Sequence, residues 1–133
     1  MNVLVLAPEA VDADAVRSAL PGKDLDDARV LVVAPALNSS PLAFWMSDSD
    51  EAIAEADAVG DETVRALDAV GVRATAQTGE SEPLLALQDA LATFDADRIV
   101  VFVHDEDQQR YREDDVIGEA KRRFDVPVVE VVL

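Results

Sequence analysis

Five short runs of Val, Ile and Leu punctuate the chain, at residues 2–7, 29–34, 72–78, 98–103 and 126–133. The first, second and fourth are nearly continuous in apolar character, as strands buried on both faces of a sheet must be. The third, Val-Arg-Ala-Thr-Ala-Gln-Thr over residues 72–78, alternates apolar with polar positions and predicts an edge strand with one wet face. Between these runs apolar residues recur at helical spacing. The longest helix is predicted over residues 50–70, with Ile53, Ala56, Val59 or Gly60, Thr63, Ala66, Leu67 and Val70 along one stripe. Ser47, Ser49 or Asp50 can cap its start, and Gly71 suits the residue just past its end. A second helix spans residues 83–94, introduced by Ser81 and Pro83, with a stripe of Leu84, Leu87, Leu91 and Phe94. A third covers residues 114–124 through Val116, Ile117, Ala120 and Phe124. A short one covers residues 12–20 and ends at Pro21-Gly22.

The elements therefore alternate from strand to helix along the whole chain. Such alternation implies a parallel sheet with right-handed crossovers and helices on both faces, an α/β three-layer sandwich. No domain boundary or repeat interrupts it, so residues 1–133 read as a single domain. The one irregular stretch, residues 35–49, contains Leu42-Ala-Phe-Trp-Met46. Aromatics and Met are enriched in interface cores. Phe44, Trp45 and Met46 are therefore either a lid or partner contact, or a loop folded back on the core.

Composition narrows the function. At 133 residues, half of them hydrophobic, the chain can bury one sizeable core. The absence of cysteine removes disulfides, thiolate zinc sites and thiol catalysis. The start, Met-Asn-Val-Leu-Val-Leu-Ala-Pro, has no basic region, and Pro8-Glu9 interrupts its apolar run, so no signal peptide is expected. No apolar stretch approaches the roughly 18 residues of a membrane span. A soluble cytoplasmic protein is the expectation. Acidic residues outnumber basic ones 28 to 11, and Lys23 and Lys121 are the only lysines. A net charge of −17 repels nucleic acid and anionic lipid, so neither is expected as a partner. The acids are spread along the chain, which suits a solubilising shell better than a dedicated surface for cations or a basic partner.

The most informative segment lies at residues 104–115, between a predicted strand and helix, where α/β nucleotide binders place their phosphate glycines. It carries six carboxylates (Asp105, Glu106, Asp107, Glu113, Asp114 and Asp115), two arginines and no glycine. A polyphosphate needs free backbone N–H groups and positive potential at such a turn. A calcium loop starting at Asp105 fails, since Gln109, Arg110 and Val116 occupy positions that need aspartate or asparagine, glycine and glutamate. His104, the only histidine, ends a predicted central strand, where open sheets place ligands. With Asp105 beside it, acid–base chemistry is a candidate role, but no nucleophile is evident nearby. Ser39 and Ser40 lack a nucleophile elbow. Neither a Walker loop nor a Gly-x-Gly-x-x-Gly sequence occurs. No catalytic residue, metal or cofactor is expected.

Several short pieces together give the chain a family resemblance. The second strand ends Val-Val-Ala-Pro35, the long helix leads into Gly71-Val72, and the third strand closes on Thr78-Gly79-Glu80. Ala96-Asp97 precedes the fourth strand, and Val126-Pro127-Val128 opens the last. In this series, over nearly its whole length, the chain resembles the universal stress protein family. The resemblance implies a Rossmann-like, adenine nucleotide alpha hydrolase-like fold with strand order 3-2-1-4-5. Members that bind ATP are expected to carry an aspartate after the first strand and a Gly-x2-Gly-x9-Gly-Ser/Thr loop after the fourth. Here Ala7-Pro8-Glu9 stands at the first place; Asp105 and Asp114-Asp115 take the place of loop glycines and of the Gly-Ser pair, leaving only Gly118 nearby. Two like charges at about 4 Å cost roughly 4 kcal/mol at an effective dielectric of 20. The chain thus resembles the branch that does not bind ATP. Its expected role is a regulatory or stress-response module, with a crevice formed by Pro8, Glu9, Pro35, His104 and Asp105. The alternatives are a nucleotide or small-molecule binder using that crevice, or a small hydrolase using His104. The last strand would be a sheet edge. The resemblance implies a homodimer through it, involving Val128, Val129, Val131 and Leu133, alongside a protein partner or small ligand.

Overall fold

The structure is a computed structural model that describes residues 1–20, 28–36, 49–79, 83–103 and 113–132. Nine elements alternate: β1 (Asn2–Leu6), α1 (Ala13–Ser18), β2 (Arg29–Pro35), α2 (Ser49–Asp68), β3 (Arg73–Gly79), α3 (Pro83–Leu91), β4 (Arg98–Val103), α4 (Glu113–Arg123) and β5 (Val128–Val132). The strands form one parallel sheet in the order β3-β2-β1-β4-β5. The three-layer architecture and strand order are those expected.

Alternation along the central strands divides the core in two. Val3, Val5 and Ala7 point to the face shared with Val16 of α1 and Leu67 of α2. Leu4 and Leu6 point to the opposite face, with Leu84 and Leu87 of α3 and Ala120 of α4. In register, Leu4 lies between Leu31 of β2 and Ile99 of β4. All of Val3, Leu4, Val5 and Leu6 are fully buried, each contributing about 1.5–3 kcal/mol of hydrophobic stabilisation. Burial on both faces explains why these runs have no polar alternation. β3, which does alternate, is an edge strand.

Helix ends follow local chemistry. Asp12 caps α1, its Oδ1 accepting from Ala15 N at 2.8 Å. α3 opens on Pro83, whose missing N–H would have had no helical partner. Gly71 follows α2 at φ 82°, the left-handed conformation that lets the chain turn at once into β3.

The α2 stripe differs from expectation at its ends. Ala56, Thr63 and Leu67 are buried, but Ile53 is 43% and Val70 49% exposed. A helix of 20 residues is about 30 Å long, and the seven-residue strand beside it about 23 Å. The helix therefore overhangs the sheet near its start, where Ile53 is exposed, while Val70 lies past the helix end, in the turn that leads to β3.

Candidate functional site

Neighbouring β1 and β4 send their chains to opposite sides, β1 through α1 to β2 and β4 through α4 to β5. This reversal is a topological switch point, and the region beyond the carboxyl ends of the two strands is the usual ligand position in an open α/β sheet.

The β1 lip is built in steps. Ala7 is fully buried and donates its N–H to Val33 O at 3.0 Å, extending the ladder one residue past the strand. Pro8 follows half-buried and Glu9 exposed. Pro8 offers no N–H. Val11 then turns inward, 6% exposed, its N–H donated to Thr63 Oγ1 of α2 at 3.3 Å. Thr63 in turn donates its hydroxyl to Val59 O at 2.9 Å. A helix start attracts anions through its unpaired N–H groups and dipole. At α1, however, the capping carboxylate of Asp12 engages one N–H, and Asp14 sits in the first turn. With exposed Glu9 nearby, negative charge stands where a phosphate would have to approach.

On the β2 side, Pro35 is buried at the strand's end and pairs in register with Gly79. Ala36 N donates to Gly79 O at 3.3 Å. Gly79 is needed for packing: a Cβ there would lie 2.7 Å from Ala86 Cβ of α3 and 2.9 Å from Val33 Cγ1. Its neighbour Thr78 donates a hydrogen bond to Asp57 of α2, tying β3 to the helix above. The glycine in Thr78-Gly79-Glu80 thus lets α3 approach the sheet.

Pro8, Glu9 and Pro35 therefore stand at the carboxyl ends of β1 and β2, the rim where they are expected. His104 and Asp105, the acidic stretch through residue 112 and the Phe44-Trp45-Met46 cluster lie outside the described residues, as does Leu133. Thr63, which anchors the lip, reads in the sequence only as one member of a helical stripe; its being the sole polar residue there is the signal that could have singled it out. Among the described residues no three His, Cys, Asp or Glu side chains are placed to hold a metal ion. Also among them, no helix is long and apolar enough to cross a membrane.

The opposite end of the sheet order is an edge. β5 pairs with β4 alone among the described strands. Val128 packs into the core beneath α4, Val131 against the other cluster. Val129 is half-buried, and Val132, absent from the expected interface set, is 58% exposed.

No protein-family model matches the chain, and no curated protein matches it. Solved structures do. A universal stress protein from Archaeoglobus fulgidus superposes with a TM-score of 0.66 over 98% of this chain and 92% of its own, at 22% identity. The chain has the universal stress protein fold. A protein of the universal stress protein family from Burkholderia pseudomallei gives a TM-score of 0.59 at 19% identity, covering 96% of this chain and 94% of that one. Near-complete coverage in both directions means that the universal stress protein fold accounts for every layer of the sandwich.

Proposed function

We propose that the protein is a stress-response or regulatory module of the universal stress protein kind that does not bind ATP, and that it works as a dimer engaging a protein partner or small ligand. The observation that carries this reading is the β1 lip. Pro8 lacks an N–H, Glu9 is exposed, and Asp12 and Asp14 occupy the start of α1. The acidic, glycine-free sequence of residues 105–115 adds to the same repulsion. Isothermal titration with ATP and Mg²⁺ tests it: no heat of binding at micromolar nucleotide is the expected result, and micromolar affinity overturns the reading.

The switch point at the β1–β4 reversal favours a second reading, a binder of a small molecule other than a nucleoside triphosphate. Thermal-shift screening separates the two, because a ligand at 100 times its dissociation constant adds about 2.7 kcal/mol of stability. Dimerisation rests on β5, a valine-rich edge strand with Val129 half-buried and Val132 exposed. Pairing of such an edge with its symmetry mate would cover these side chains and satisfy the open backbone groups. The cytoplasm is the proposed location.

A further inference from the structure

Among the described residues, most cations gather at one end of the sheet. Arg29, Arg73 and Arg98 are the first residues of β2, β3 and β4, so a parallel sheet sets all three at its amino-terminal rim. Arg17, Arg65, Lys121, Arg122 and Arg123 lie in the last turns of α1, α2 and α4. Crossover helices run back against the strands, so the last turns of α2 and α4 reach the same end, whereas α1, with six residues, is too short to do so. The described basic residues of β2, β3, β4, α2 and α4 are therefore at the amino-terminal pole of the sheet, while Arg17, paired with Asp14 in the short α1, is not.

Helix-dipole preference accounts for the helical members, and some are already engaged. Arg17 pairs with Asp14 at 3.4 Å. Arg122 and Arg123 both bond Glu119, with Arg123 Nε at 3.3 Å. The hydrogen bond and charge of Arg122, aided by Arg123, hold the Glu119 carboxyl below its usual range.

Arg29 and Arg73 have no such explanation. They are direct register partners in adjacent parallel strands, so their Cα atoms are about 4.8 Å apart and their side chains leave the same face of the sheet. Both are exposed, and among the described residues neither makes an ion pair. Like charges directly opposite each other destabilise a sheet. Among the described carboxylates none compensates this pair with an ion pair.

We propose that this rim is a docking surface for an acidic segment of a partner protein, gripped by the adjacent guanidinium groups of Arg29 and Arg73. Guanidinium forks bind carboxylates bidentately, and a bridging carboxylate removes the repulsion between them. A peptide can space its charges to meet the arginines and avoid Asp68, Asp95, Asp97 and Asp125, which share this end of the molecule.

The test is fluorescence anisotropy with a labelled oligoglutamate peptide and, separately, an oligothymidylate of equal charge, at roughly 50 mM salt where screening is weak. The expected result is saturable peptide binding that salt weakens, poorer binding of the oligothymidylate, and a loss of about tenfold in peptide affinity for Arg29→Gln/Arg73→Gln. Circular dichroism establishes that the variant is folded. Should it not fold, amide NMR shifts of the unaltered protein on peptide addition decide: changes centred on residues 28–30 and 73–75 support the proposal, and changes elsewhere overturn it. Absence of peptide binding, undiminished binding by the folded variant, or preference for the oligothymidylate also overturns it. So does self-association that the two substitutions abolish while no peptide binds, which would make a second copy the occupant.

Discussion

Thr63 is the one fully buried polar residue among those described; it accepts from Val11 N, joining α2 to the β1 lip, and donates to Val59 O within α2. Valine has nearly the same shape and no hydroxyl. Thr63→Val therefore keeps the packing but strands the Val11 N–H in the interior, a loss of about 1–3 kcal/mol. Urea unfolding should show that loss, and Thr63→Ser, which retains the oxygen, should lose less. Two glycines make an opposed pair of tests. Gly79→Ala drives a methyl to 2.7 Å from Ala86 Cβ and should cost about 1–3 kcal/mol by overpacking. Gly118→Ala meets nothing nearer than the flexible Arg122 side chain at 3.5 Å. It should stabilise α4 by about 0.5–1 kcal/mol, since alanine loses less backbone entropy in a helix. Equal effects of the two substitutions would refute the packing role given to Gly79.

At the scale of elements, the edge strand β5 carries the proposed dimer. Sedimentation should show a dimer for the unaltered chain and a monomer for Val129→Lys/Val132→Lys, since charges on the exposed edge repel their mates across a two-fold axis. A dimer that survives the substitutions removes β5 from the interface. The elements themselves were legible in the sequence because each obeys a local rule. Val3 to Leu6 read as a doubly buried strand because they are one, and Gly71 closes α2 because only glycine adopts its φ without strain. The limits of α2 were less legible. Periodicity marks Ile53 as core, yet burial depends on how far the neighbouring sheet extends, a tertiary property that no spacing within the helix encodes. The site divides similarly. Pro8, Glu9 and Pro35 could be placed from strand ends alone. The anchoring of Val11 by Thr63 joins positions 52 residues apart, and the facing of Arg29 and Arg73 depends on register. Neither leaves a mark in local pattern.

For the whole molecule the dominant quantity is the charge of −17. The compact state holds these charges closer together than the unfolded chain does, so self-repulsion opposes folding. Within the described residues, Arg17 pairs with Asp14, and Arg122 and Arg123 with Glu119, each an exposed pair within a single helix. Exposed pairs of this kind contribute little stability for salt to remove. Screening therefore acts mainly on the repulsion. At 1 M salt the Debye length falls to about 3 Å, from about 30 Å at 0.01 M. The unfolding temperature should consequently rise with potassium chloride, by about 4 °C for each 1 kcal/mol of repulsion relieved in a domain of this size. Chloride at this concentration is close to neutral in its effect on apolar burial, unlike sulfate, so a rise in potassium chloride isolates the electrostatic contribution. Lowering the pH toward the isoelectric point, near 4.1, neutralises carboxylates and relieves the same repulsion. The salt-induced rise should therefore be smaller at pH 5 than at pH 7, to be read by differential scanning calorimetry at both. An unfolding temperature that falls with salt at pH 7 would mean that attractive pairs outweigh repulsion, and the solubilising-shell account of the acidity would then be wrong.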